Sequence, residues 1–425
     1  MIEEQRPTHS LFLSENTKNI HLSHVEDIIF YGGTLKIKQT IMTLQDILQM
    51  LSSNDNVSKT NISVKWDGAP SLFCGIDPED NQFFVATKSL FNKTPRIYKT
   101  IKSVDNDQKL SEDLARKLKI ALEYLSELDI KSGVFQGDMM FDSQSLKVKK
   151  INDKNYLTFH PNTLVYAFPI NSDIAKKITK TKIGIVWHTS YTGESLKDLK
   201  ASPGVDTSQF TETPNVWSHD ANIIDYNFLI DKDSSTKIKK YITAIKKLYN
   251  KIPESIFSEL ARDNQKLANN LSTFINFKVK SKDANESSFY KPSEEIFDEL
   301  LAWNDARFDF HKMKAQTPAQ KERLELKQKL FNNKLKNNKD ALKKLFDLHH
   351  LISHTKRILL KHLNKVNKSD IFIRTKSGYR VSSHEGFVAT NKLNKNTIKL
   401  VDRLEFSFAN FSDDVIRGFN KTSKT

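Results

Sequence analysis

Along the first 230 residues, apolar side chains come in short runs interrupted by Gly, Pro, Asn and Asp, the patterning of strands rather than long helices. Residues 61–66, 71–76, 83–87, 134–141, 164–170 and 182–187 are the clearest strand candidates. Between them, Ser111 is placed to cap a helix with Leu114, Leu118, Ala121, Leu122 and Leu125 on one face, and another helix is expected after Thr43. From Ile230 the period lengthens, with Ile238, Tyr241, Ile242, Ile245, Leu248 and Tyr249 recurring at helical spacing until Pro253 interrupts. Helical patterning continues over 294–303 and 318–363, and strand patterning returns at 371–374, 386–390 and 397–401. The pattern predicts an α+β fold in which a core of residues 1–225 and 371–425 is interrupted by a helical insert at 226–370.

Charge singles out the insert. The 425 residues carry a formal net charge of +15. Residues 231–370 alone hold about 30 Lys and Arg against about 18 Asp and Glu, an excess of about twelve. Clustered cations release condensed counterions on meeting phosphates, so a polyanionic partner is expected; a merely solvated basic surface is the competing reading. Cys74 is the only cysteine, which excludes an internal disulfide and a cysteine-based zinc site. No run of about 18 uncharged apolar residues occurs, and the first ten residues lack a signal-peptide pattern. A soluble, cytoplasmic protein with no membrane partner is therefore expected.

The sharpest chemical feature is Lys65-Trp66-Asp67-Gly68, at the end of a predicted strand and followed by Ala69-Pro70. A lysine held at a strand end beside a Gly turn can present a desolvated, nucleophilic amine to a phosphate. The four residues recur too easily by chance to count alone, and their order with later elements carries more weight. Thr87-Lys88-Ser89, Phe135-Gln136-Gly137-Asp138, Val165-Tyr166-Ala167-Phe168-Pro169, His384-Glu385-Gly386-Phe387-Val388 and Ile398-Lys399-Leu400 follow in turn.

This ordered set resembles the lysine-dependent nucleotidyltransferase superfamily of RNA ligases, DNA ligases and mRNA-capping enzymes. The resemblance covers pieces of 61–170 and 380–403. It departs at Pro70, where many ligases have Arg, at Asp138 for the usual Glu, at Pro169 for Asp and at Val401 for a second lysine. It implies a two-sheet antiparallel adenylation core, with ATP and Mg2+ or Mn2+ as cofactors and RNA or DNA ends as partners. It further implies Lys65 as nucleophile, with Lys399 and Lys88 clamping phosphate and lowering the pKa of Lys65. Glu385 and Asp138 would hold metal or ribose, Tyr166 or Phe168 would stack on the base, and Asp67 and Gly68 would shape the nucleotide-binding turn. For Lys88, Lys399 and Asp138, ordinary surface or turn roles compete, as core packing does for Tyr166 and Phe168. Transfer to another acceptor, such as an RNA cap, a protein or a small molecule, remains open, as does a non-catalytic nucleic-acid-binding protein.

A second resemblance, over residues 21–33 and the segments around Lys65 and Lys88, is to a poorly characterised family of large tailed-phage proteins. It implies a phage protein working in bacterial cytoplasm. In the insert, Lys334, Lys336, Lys343, Lys344, Lys356 and Arg357 are the expected contacts to a nucleic-acid backbone. His350 and His354 stand at i,i+4 spacing but lack an acidic partner between them, and His21 and His24 suit packing or capping better than metal ligation.

Overall fold

A computed structural model describes residues 24–52, 60–222, 230–281, 285–366, 369–391 and 397–418. In chain order the strands are β1 (Thr60–Lys65), β2 (Ser71–Ile76), β3 (Phe83–Ala86), β4 (Ile97–Tyr98), β5 (Val134–Asp142), β6 (Lys147–Ile151), β7 (Lys154–Phe159), β8 (Leu164–Pro169), β9 (Ile183–Thr192), β10 (Lys200–Pro203), β11 (Val216–Asp220), β12 (Asp370–Thr375), β13 (Gly378–Val381), β14 (Gly386–Asn391) and β15 (Thr397–Leu400). The fold is α+β. Its strands form three sheets rather than the two expected: β1–β14–β15, β10–β9–β5–β2–β3–β4, and β13–β12–β8–β7–β6. Pairing is antiparallel throughout except for β11, which adds parallel to β9. Strands from before and after the helical region meet twice, β1 with β14 and β8 with β12.

The helix expected after Thr43 begins earlier and spans Gly33–Ser52, while Ser111 caps Glu112–Leu125 by accepting from the Leu114 N–H. Between β11 and β12 run helices Lys232–Tyr249, Glu254–Lys280, Ser293–Lys314, Pro318–Asn337 and Lys339–Leu363, with one short turn at Glu286–Phe289. Pro253, which ends the apolar period, is the N-cap of a helix that the period did not reveal. The 318–363 stretch is two helices, broken at Asn338.

One apolar core joins these helices to the N-terminal helix and to the first sheet. Leu44, Ile245, Phe274, Phe346 and Leu359 pack in it with Ile62, Phe387, Ile398 and Leu400 of β1, β14 and β15. Each fully buried side chain of this kind contributes about 1.5–3 kcal/mol, so the sheet bearing Lys65 is anchored on a helical bed. The other two sheets have their own cores, the third containing Tyr166 and Phe168.

Candidate active site

Lys65 ends β1, and Glu385 immediately precedes β14. The antiparallel register Lys65↔Gly386 sets them side by side, and Lys65 Nζ donates to Glu385 Oε2 at 2.6 Å. Gly386 leaves no room for a side chain on the other flank, where a Cβ would lie 2.2 Å from the Leu400 carbonyl oxygen, so β14 and the end of β15 approach closely. Ser63, Val388 and Lys399 are aligned across the three strands. Lys65, two residues beyond Ser63, therefore shares a face with Lys399.

Beyond Lys65 the chain crosses to the second sheet. Ala69 N donates to the Met139 carbonyl at 2.9 Å, and Met139 N to that of Pro70 at 3.0 Å. Gly68 is wedged at the crossing, where a Cβ would meet Asp138 Cβ at 2.6 Å and Met140 Sδ at 2.9 Å. This tight crossing brings Asp138 into the electrostatic neighbourhood of Lys65.

Burial works against the Lys65 ammonium, but Glu385, and after it Asp138 and Asp67, outweigh that and raise its pKa above the ordinary lysine value. This corrects the expectation that neighbouring lysines depress it. The depressed amine is Lys399, which burial and then the Lys65 charge push down to about 8. Lys399 has no carboxylate within ion-pair distance among the described residues, and its Nζ lies 4.9 Å from the Phe406 ring centroid. Asp138 pays for burial too, yet His188 and Lys65 hold it below the usual carboxylate range.

His188 escaped sequence reasoning. Between Gln136 and Gly137 the β5–β9 register slips, pairing Gln136 with Thr189 and Gly137 with Trp187, so His188 is the extra residue of a bulge. Its Nε2 lies 3.7 Å from Asp138 Oδ1, and its Nδ1 is 2.8 Å from Thr189 Oγ1. Trp66 was missed as well. Its half-buried ring stacks on Tyr166 at 5.0 Å and meets His384 edge-on at 5.2 Å, and its indole N–H is buried without a partner. Beside Glu385 a cavity of about 350 Å³ opens between helices Lys339–Leu363 and Arg403–Phe411, bordered by Arg357, Lys361, Asn364, His384 and Asp402.

Other expected site residues do different work. The Asp67 carboxylate is saturated by Asn162 Nδ2, the Thr163 N–H and Oγ1, and the Leu164 N–H, all at 2.6–2.8 Å, so it pins the 162–164 turn rather than a nucleotide. Tyr166 and Phe168 are fully buried, Phe168 against Phe159 and Tyr166 between Phe159 and Trp66, with the Tyr166 hydroxyl accepting from the Asp67 N–H. Neither presents a free face to a base, because β8 is covered on both sides. Lys88 is exposed at the start of a turn after β3, and among the described residues no hydrogen bond or ion pair joins it to the cluster. Glu385 and Asp138 are the two carboxylates that most strongly favour the Lys65 ammonium, and oxygen donors of this kind are the ligands a hard cation prefers. No group of three or more potential ligands occurs among the described residues.

The six basic residues expected to follow a phosphate backbone are mostly occupied. Lys356 is buried and paired with Glu26 at 2.5 Å, so its assignment to nucleic acid is wrong. Lys334, Lys343 and Arg357 are ion-paired with Glu259, Glu294 and Glu286. Lys344 Nζ donates to the Lys251 carbonyl, and Lys336 is exposed. His354 stacks on Tyr290 at 4.4 Å and His350 meets the same ring edge-on, which is packing. His24 is half-buried and faces Phe406 edge-on, whereas His21 lies outside the described residues.

The chain belongs to a family of unknown function, DUF6267, which it matches over residues 19–414. Lys65, Asp138, Glu385 and Lys399 all fall inside that span. No curated protein and no solved structure matches the chain. No helix among the described residues is long and apolar enough to cross a membrane.

Proposed function

We propose that the chain is a lysine-dependent nucleotidyltransferase and, within that class, an ATP-dependent polynucleotide ligase of the RNA-joining kind. One observation carries the reading. Lys65, Glu385, Lys399 and Asp138, drawn from widely separated segments by a motif order alone, gather around a single amine.

The chemistry follows from that arrangement. Lys65 Nζ, once it has given a proton to solvent, attacks the α-phosphorus of ATP; a P–N bond forms, the bond to the bridging oxygen breaks, and pyrophosphate leaves. The Lys65–Glu385 ion pair opposes this deprotonation, so the pair loosens before attack. Lys399, a cation without a carboxylate of its own, supplies positive charge where the phosphate charge develops. Glu385 and Asp138 would hold a Mg2+ or Mn2+, which when bound neutralises phosphate charge. His188, 3.7 Å away, favours the ionised Asp138 carboxylate. A 5′-phosphate oxygen of nucleic acid then displaces Lys65 from the adenylate, and a 3′-hydroxyl displaces AMP to seal the strand.

Incubation with α-labelled ATP or GTP, followed by denaturing electrophoresis, tests the reading. Label from ATP should stay on the wild-type chain, vanish in Lys65→Arg, which keeps the charge but not the nucleophile, and fall at least about a hundredfold in Glu385→Gln. Label from GTP alone would favour a capping-type transfer. Undiminished label in Lys65→Arg contradicts the assignment, and no label at all favours a binding protein.

A further inference from the structure

A second cavity, of about 380 Å³, lies within the helical region among helices Glu254–Lys280, Ser293–Lys314 and Pro318–Asn337. It shares no lining residue with the cavity beside Glu385. One part of its wall is amide: Asn270 and Asn304, both buried. Another is apolar, with Phe308, Leu324 and Phe331, and its cations are led by Arg307 and Lys327. Among the described residues no acidic side chain lines it.

The amides are polarised in one direction. Asp305 Oδ1 can only accept, and it takes Asn332 Nδ2 at 2.7 Å and Gln328 Nε2 at 2.6 Å. Asn332 must therefore turn its oxygen to Asn304 Nδ2, at 2.8 Å, and Asn304 its oxygen to Asn270 Nδ2, at 3.2 Å. The ladder ends at Asn270 Oδ1, which is buried without a partner on a residue 93% shielded from solvent and lining the cavity. An orphaned acceptor of this kind is a standing cost to the fold, relieved when a donor arrives. Arg307 and Lys327 are exposed, and neither is ion-paired among the described residues, in contrast to Lys334 and Lys343 nearby.

We propose that this cavity is a binding site for a nucleoside phosphate, either free or as one unit of a single-stranded nucleic acid. In the proposed complex a planar base packs against the apolar wall of Phe308, Leu324 and Phe331 and gives an N–H to Asn270 Oδ1, while Arg307 and Lys327 take the phosphate. The size lies within the range of ordinary small-ligand cavities. This site relocates the nucleic-acid contacts of the helical region from the ion-paired lysines to two exposed cations, neither with a carboxylate partner among the described residues, around a shaped pocket. It does not depend on Lys65 chemistry.

Hydrogen–deuterium exchange of the full chain, with peptides read individually, keeps the two sites apart. The probes are AMP, inorganic phosphate and a 5′-phosphorylated oligoadenylate, each titrated to the millimolar range. Peptides covering 266–273, 304–311 and 324–331 should gain saturable protection with AMP, with the oligonucleotide, or with both. Protection by AMP marks a free-nucleotide site, and protection by the oligonucleotide alone marks a strand site. The double variant Arg307→Gln/Lys327→Gln, both at exposed positions, with folding checked by the exchange of peptides outside the cavity, should weaken the apparent affinity roughly tenfold or more. Three outcomes overturn the proposal: no protection of these peptides, equal protection by inorganic phosphate, or an affinity unchanged in the double variant.

Discussion

Two charge clusters, one buried and one half-buried, lie next to each other in this protein and are built on opposite principles. In the first, every cation has its carboxylate: Lys356 pairs with Glu26 at 2.5 Å, and Arg403 with Asp27 at 2.6 Å while also donating to Asn276. Burial disfavours the Asp27 carboxylate, yet Arg403 and His349 hold its pKa well below the usual range. In the second cluster Lys65 has Glu385, but Lys399 has no such partner and its ammonium is destabilised. The first cluster is a closed fastening between the N-terminal segment, helix Lys339–Leu363 and helix Arg403–Phe411. The second carries surplus positive charge at the end of a sheet, beside an open cavity. A surplus of that kind is useful only where an anion is to arrive, and it separates a site from a joint more clearly than burial does.

The contrast can be broken first at its strongest point. Lys356→Ala leaves Glu26 buried without its cation and should destabilise the fold by about 3–5 kcal/mol in chemical denaturation. Lys399→Met removes a cation that the fold disfavours, so it should leave stability within about 1 kcal/mol of wild type while sharply lowering adenylylation. Equal destabilisation by both would erase the distinction.

Gly68→Ala comes next. The added methyl collides with Asp138 and Met140, so a loss of about 1–3 kcal/mol is expected, together with reduced labelling of Lys65. A variant as stable as wild type would mean that the crossing between the two sheets is looser than the contacts require.

The smallest effect is a pH slope. The folded pKa of Lys399, about 8, lies below the unfolded value of 10.5. Between the two the unfolded chain binds more protons, so wild-type stability should rise with pH relative to Lys399→Met, by at most about 1.4 kcal/mol per pH unit, and should run parallel to it below pH 8. Parallel curves throughout would show that the Lys399 ammonium is not disfavoured.

Much of the strand layout was legible because Gly, Pro and Asn punctuate it, and the order of the motif residues named Lys65 and three side chains that gather at it, Glu385, Lys399 and Asp138. Other features were hidden for identifiable reasons. Strand β6 reads Lys147-Val148-Lys149-Lys150-Ile151, four exposed positions and then one buried, with no alternation to detect. Strand β8 is buried on both faces, so nothing in its apolar run separates a core Phe168 from one that stacks on a ligand. Lys356 carries the same residue type as its exposed neighbours, and its partner Glu26 stands 330 residues away. His188 is aimed by a bulge whose register depends on the neighbouring strand. Local pattern reports a residue's own environment, while pairing partners belong to the assembled fold.

The central claim is that Lys65 becomes covalently joined to a nucleotide. Intact-mass analysis after incubation with ATP and Mg2+, followed by fragmentation of the modified peptide, addresses it directly. The account predicts one added AMP per chain, located on Lys65 and removed by pyrophosphate. An unmodified chain, or AMP carried on Lys399 or another side chain, would contradict it.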